Sequence, residues 1–204
     1  MLLRPPQKSV IRPPRRRLAA VLSALVLAVT ALAAPLVAAP SAHAAAPCAA
    51  DEYGPYWFGN VNASRTRGTT VVLAIDSPWG NWSKAYLWSY NNDNRQKFCL
   101  RPNSSTGDVN YYQFRYAANL DLCLTAPTLA AGQRLELLSC NSSLGQVWGW
   151  VPNGTAIVNG VTWAAIRFHE RSSGMCMDVY GGYTGNGTAV QLFTCKAGDH
   201  QRWF

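Results

Sequence analysis

Beyond about residue 50, apolar and polar residues alternate over short stretches of the chain. In Ala189-Val190-Gln191-Leu192-Phe193, Val190 and Leu192 fall on one face and Gln191 and Phe193 on the other, the period of a half-buried strand. The same register fits Arg134-Leu135-Glu136-Leu137-Leu138 and Lys84-Ala85-Tyr86-Leu87-Trp88, which predicts Leu192, Leu137 and Leu87 as equivalent core positions. Gly185-Asn186-Gly187, Pro78-Trp79-Gly80-Asn81 and Pro152-Asn153-Gly154 supply turns between such segments. No stretch after the leader sustains a helical period over ten residues, so the pattern predicts an all-β domain.

The alternating segments recur in step with a tripeptide. Gln96-Lys97-Phe98, Gln146-Val147-Trp148 and Gln201-Arg202-Trp203 each place a Gln two residues before an aromatic, at spacings of 50 and 55 residues. Recurrence at a near-constant period predicts three copies of one structural unit.

The N-terminal segment lies outside that unit. Arg4, Lys8, Arg12, Arg15, Arg16 and Arg17 precede an apolar run from Leu18 to Ala34, and Ala42-His43-Ala44 follows as a small-x-small cleavage site. Residues 1–44 read as a secretory signal peptide of bacterial form, exported by the general or the twin-arginine route, with no membrane span after its removal. All six leader charges are basic. Of 18 basic and 10 acidic residues in the chain, 12 and 10 remain beyond it, a net +2, with no Lys/Arg cluster to mark a nucleic-acid footprint. About 160 residues are left, enough for one domain with a substantial core.

All six cysteines lie in this exported part, where an oxidising compartment favours disulfides, although six cysteines allow 15 pairings. Cys123 and Cys140 are 17 residues apart and Cys176 and Cys195 are 19 apart, each pair ending six residues before its repeat's Gln. That repetition predicts equivalent bridges within two repeats, and elimination leaves Cys48 with Cys99. With no close Cys-x-x-Cys pair, and only His169 and His200 beyond the leader, no metal or cofactor is expected.

Several of these residues resemble one family. Met175-Cys176-Met177-Asp178-Val179, Val190-Gln191-Leu192-Phe193-Thr194-Cys195 and Gln201-Arg202-Trp203 are similar to one subdomain of the ricin B-type lectins, also grouped as family 13 carbohydrate-binding modules. Leu122-Cys123-Leu124-Thr125, Leu135-Glu136-Leu137-Leu138-Ser139-Cys140 and Gln146-Val147-Trp148 form a poorer copy, and the first repeat lacks both cysteines at the matching positions. The resemblance implies a β-trefoil over residues 55–204, preceded by an arm at 45–54. It also implies a structural role for the Gln-x-aromatic motif, with Phe98, Trp148 and Trp203 in the core and Gln96 and Gln146 supporting loops.

A sugar presents neighbouring hydroxyls and an apolar C–H face, so its pocket needs a carboxylate or amide and a ring. The third repeat offers both. By the family pattern, Asp178 would accept from two hydroxyls, Gln191 flank it, Phe193 stack, and His200 and Gln201 complete a carbohydrate-binding set. The other copies are depleted: Thr125, Glu136 and Leu138 replace Asp, Gln and the ring in the second repeat. In the first, Ala74 replaces the Asp, with Asp76 two residues on, beside Tyr86 and Trp88. Trp79 and Trp82 flank Gly80-Asn81, as a secondary aromatic surface or as packing for the arm held by Cys48.

The expected function is that of a secreted, extracellular, non-catalytic protein that binds a glycan or a plant or microbial polysaccharide, its oligomeric state and its sugar left open by the sequence. The acids show no paired motif for glycoside hydrolysis, and no Ser or Cys nucleophile has a His partner. The alternative is a secreted protein-binding or inhibitor module with degenerate sugar pockets; a toxin component is a further possibility.

Overall fold

The computed structural model describes residues 48–76, 80–103, 111–141 and 143–204. The leader and Trp79 lie outside them. The chain runs through β1 (Tyr53–Tyr56), α1 (Val61–Arg67), β2 (Val71–Ile75), β3 (Ala85–Ser89), β4 (Phe98–Pro102) and β5 (Tyr111–Tyr116). It continues through β6 (Asn119–Thr125), β7 (Glu136–Ser139), β8 (Trp148–Val158), β9 (Val161–Glu170), β10 (Cys176–Val179) and β11 (Val190–Phe193). Short 3₁₀ turns at Asn94–Gln96, Leu144–Gln146 and Asp199–Gln201 precede the three motif aromatics.

The alignment made on alternation holds at the level of strand register. Leu73 pairs with Leu87, Leu124 with Leu137 and Met177 with Leu192, and all six side chains are fully buried. Three hairpins, β2–β3, β6–β7 and β10–β11, are thus the same object repeated. They close on one another through bridges Lys84 to Glu136, Arg134 to Gln191 and Tyr86 to Ala189. That cyclic pairing defines a pseudo-threefold axis and leaves the hairpins no free inner edge.

The core repeats in the same way. Phe98, Trp148 and Trp203 are fully buried, and the two indole N–H groups donate to Leu124 O at 3.1 Å and Met177 O at 3.3 Å. Phe58, Phe114 and Phe168, one from each repeat, form a triangle with ring centroids 5.0–5.2 Å apart. Burying such rings stabilises the fold by roughly 1.5–3 kcal/mol each. The chain's end seals the barrel: Trp203 pairs with Ile166 and Asn60, and Phe204 and Gly59 exchange backbone hydrogen bonds of 2.9 Å.

Each motif Gln is a clamp. Its amide N–H donates to the carbonyl seven residues earlier (Ser89, Ser139 and Thr194), at 2.9 Å in all three repeats. Its oxygen accepts from the N–H five residues earlier, of Asn91, Asn141 and Lys196, at 3.0, 2.8 and 2.7 Å. One side chain thereby satisfies both polar groups of a turn that packs against the core, where an unpaired group is costly.

Two departures from the repeat are local. In the first repeat α1 takes the place of a tight strand connection, capped by the Asn60 side chain and ended by Gly68 in the left-handed region (φ 65°). At seven residues it is too short for a helical period to show in the sequence. It packs with the tip of the long β8–β9 hairpin, where Val61, Ala156, Val158 and Ala165 make a second small core edged by Trp163 and Phe204. That hairpin turns at Asn159-Gly160, both with positive φ, the residues a two-residue turn of this hand requires.

The three disulfides pair as the spacing predicted: Cys123 with Cys140, Cys176 with Cys195, and Cys48 with Cys99. The last one, with an ion pair from Arg115 to the buried Glu52 carboxylate, fixes the arm against β4 and β5. Strand pairing already begins inside that arm, because Tyr53 of β1 pairs with Leu100. The double exchange Cys176→Ser/Cys195→Ser is expected to cost about 3 kcal/mol, since it frees a loop of this length in the unfolded chain; the shift in urea midpoint measures it.

Candidate functional site

The antiparallel register of β10 and β11 sets Asp178 opposite Gln191, with Cys176 opposite Phe193. Met177 and Val179 go to the core, and period-two alternation turns Asp178 to the other face. Only 3% of Asp178 is exposed, yet its carboxylate is fully supported. Oδ1 accepts from the Gln191 amide at 2.7 Å and Oδ2 from the Gln201 amide at 2.8 Å, while His200 Nε2 stands 3.4 Å from Oδ2.

This group forms the floor of a cleft of about 530 Å³, lined also by Tyr180, Gly181, Gly182, Phe193 and Lys196. Gly181 and Gly182 both have positive φ (60° and 66°), a conformation that lets the backbone turn sharply beneath Tyr180. Phe193 is half-buried, and the Lys196 ammonium lies 5.0 Å from its ring centroid, a cation–π contact. The His200 ring rests on Gly198, where an added Cβ would fall 2.2 Å from Cε1. Gly198 is therefore what lets the imidazole lie in the cleft.

Four of the five residues predicted for the third-repeat site line one cleft. Gln201 does not. It is fully buried, and its amide is spent on Asp178, Thr194 and Lys196, so it orients the carboxylate from behind. Alternation within β11 indicated Gln191, but the bond across 23 residues from Gln201 needed the fold. Lys196 was not singled out from the sequence; its only signal was its proximity to Phe193 along the chain.

The matching positions elsewhere are filled. Thr125 stands opposite Glu136, donates to Cys123 O at 2.8 Å and accepts from Gln146 at 3.1 Å. Glu136 is buried and ion-paired to Lys84. In the first repeat Ala74 opposes Tyr86, whose ring packs edge-on against Trp88 at 5.6 Å; burial pushes its phenol above the ordinary value. Asp76 accepts from the backbone N–H of Lys84 at 2.5 Å.

Among the described residues, no contact places Trp82 on the arm. It is 63% exposed with φ 73°, and its N–H donates to Leu137 O at 2.7 Å, which places it beside the second repeat's hairpin. The arm lies instead along β4, through Cys48, Asp51 and Glu52. Its Tyr53, with Tyr56, Tyr112 and Trp150, edges a separate apolar cleft of about 390 Å³. Among the described residues the one cluster of potential metal-ligating side chains is Cys48, Glu52 and Cys99, and both sulfurs there are committed to a disulfide.

Comparison with solved structures agrees with this repeat geometry. A designed threefold-symmetric protein, ThreeFoil, superposes with a TM-score of 0.59 at 17% identity, over 72% of this chain and 94% of that one. The fold is a β-trefoil. The ricin B-like lectin of Macrolepiota procera, solved with lactose, shares the trefoil with a TM-score of 0.53 and 23% identity, over 72% and 91% of the two chains. The exo-β-1,3-galactanase 1,3Gal43A of Clostridium thermocellum matches with a TM-score of 0.60 and 19% identity, over 76% of this chain and 30% of that one. No family model and no curated protein sequence matches the chain.

Proposed function

We propose that the protein is a secreted, non-catalytic, lectin-like protein that binds a glycan or polysaccharide through its third repeat. One observation carries the reading. A buried carboxylate, each oxygen held by a Gln amide, faces a cleft that also presents a half-buried ring and an imidazole. A carboxylate has about four acceptor positions, and the amides occupy two. The others suit two neighbouring hydroxyls, while Phe193 offers a surface for a C–H face.

Hydrolysis would need two carboxylates about 5–9.5 Å apart across a scissile bond, and Asp178 is the only acid lining the cleft. Three disulfides fit an exported protein. Structural neighbours were solved with lactose or GalNAc, so galactose-type sugars are the first ligands to try. With one open pocket, affinity for a monosaccharide is expected to be weak and to rise on a polymer or by self-association.

The test is binding of the protein to a glycan array and to insoluble polysaccharides, beside Phe193→Ala. Loss of the stacking ring is expected to weaken binding about tenfold, or ~1.4 kcal/mol, with the fold unchanged by circular dichroism. Unchanged binding would move the site away from the third repeat. If no glycan binds, the protein-binding alternative takes its place.

A further inference from the structure

Beside the Asp178 cleft lies a smaller one, of about 230 Å³, lined by Asn153, Arg167, Ala197, Gly198, Asp199 and Arg202. The two share a wall: Lys196 and His200 line the first, and the residues between them line the second. Five residues of chain span at most about 17 Å, so both clefts lie within reach of one short oligosaccharide.

The smaller cleft has donors without acceptors. Asn153 Nδ2, Arg167 Nε and Arg202 Nε are buried and have no hydrogen-bond partner. These are three of the six such atoms among the described residues, and all three belong to side chains of this one cleft. Other donors of these arginines have defined partners. Arg202 Nη1 bonds Asp199 at 2.7 Å, its Nη2 bonds the carbonyls of Asn153 and Thr155 at 2.9 and 2.8 Å, and Arg167 Nη2 bonds Lys196 O at 3.0 Å.

Charge is unbalanced in the same sense. Asp199 is shared by Arg65, at 2.5 Å, and Arg202. Burial raises its carboxyl, but the Arg202 hydrogen bond and the two guanidinium charges outweigh that and hold it below the ordinary value, so it stays ionised. No carboxylate among the described residues lies within ion-pair distance of Arg167. Two guanidiniums thus share one carboxylate, and that of Arg167 lines the cleft without one. A water molecule could accept from two of the three open donors and would leave the charge excess in place. An oxyanion offers acceptor positions enough for all three and offsets the charge.

We infer that this second cleft is a subsite for an oxyanion substituent, a carboxylate or a sulfate ester, on the glycan whose hydroxyls are held at Asp178. The inference rests on the proposed function for that first site. The protein would then prefer acidic polysaccharide chains over neutral ones, with Asp178 and Phe193 reading one sugar and Arg167 and Arg202 the charge on a neighbouring unit.

The experiment titrates ¹⁵N-labelled protein with galactotriose, trigalacturonate, a sulfated galactotriose and inorganic sulfate, and follows the arginine Nε–Hε signals. The acidic trisaccharides are expected to bind at least tenfold more tightly than galactotriose and to shift the Arg167 and Arg202 signals saturably. Which of them binds best distinguishes carboxylate from sulfate ester. Arg167→Gln should bring the acidic ligands down to the level of galactotriose and leave galactotriose unchanged. Equal affinity for acidic and neutral ligands, or a preference that survives Arg167→Gln, overturns the inference. Should no trisaccharide bind, the proposed function fails; a saturable sulfate shift at Arg167 and Arg202 would then keep the oxyanion site, and its absence would remove that as well.

Discussion

Asp178→Asn is expected to weaken glycan binding about a hundredfold or more, or roughly 3 kcal/mol, because hydroxyl bonds to a charged acceptor are worth about 1.5–3 kcal/mol each. The exchange is nearly isosteric, but it is not silent for the fold. Both carboxylate oxygens accept from amide N–H groups, of Gln191 and Gln201. An Asn side chain must set its own NH₂ against one of them, leaving buried donors face to face at a cost of about 1–3 kcal/mol. The double exchange Asp178→Asn/Gln191→Glu removes that conflict, since the Asn can donate to the new carboxylate and still accept from Gln201. Stability in urea should return while binding stays lost. Binding that survives in either variant would show that Asp178 serves the fold alone.

The second large effect concerns the core. Trp203→Ala is expected to destabilise the protein by about 3–5 kcal/mol, a sizeable part of the roughly 5–15 kcal/mol that holds a domain together. The indole is fully buried and its N–H is satisfied by Met177 O, and the residue also closes the barrel by pairing with Ile166 and Asn60. Trp203→Phe should cost well under half as much, since Phe98 already fills the equivalent position in the first repeat. Thermal unfolding of the two variants checks both figures. Similar losses would mean that the indole hydrogen bond, rather than volume, dominates.

The arrangement of charge and polarity separates the three hairpins. In the second, Thr125 replaces the pocket acid and spends its hydroxyl on backbone and on Gln146, while Glu136, at the Gln position, is half of a buried ion pair with Lys84. In the first, Tyr86 and Trp88 fill the volume with ring contacts. The same scaffold thus carries two closed hairpins and one with a supported, outward-facing carboxylate.

What the sequence by itself determined follows from local rules. A period of two decides which residues of a strand share a face, so Leu87, Leu137 and Leu192 could be placed in the core, and Gln191 with Phe193 on the other face, without coordinates, while the family resemblance supplied Asp178. A repeating cysteine spacing predicted two of the disulfides, and elimination the third. The tertiary structure alone decided what depends on residues far apart in the chain. Gln201 reaches Asp178 across 23 residues, and Phe58, Phe114 and Phe168 meet on the axis. The arm lies on β4, and Trp82 stands exposed beside the second repeat's hairpin. Asn153, Arg167 and Arg202 gather their unpartnered donors in one cleft. Such contacts have no period to betray them, because chain closure sets them: three hairpins that pair end to end around an axis decide which distant side chains become neighbours.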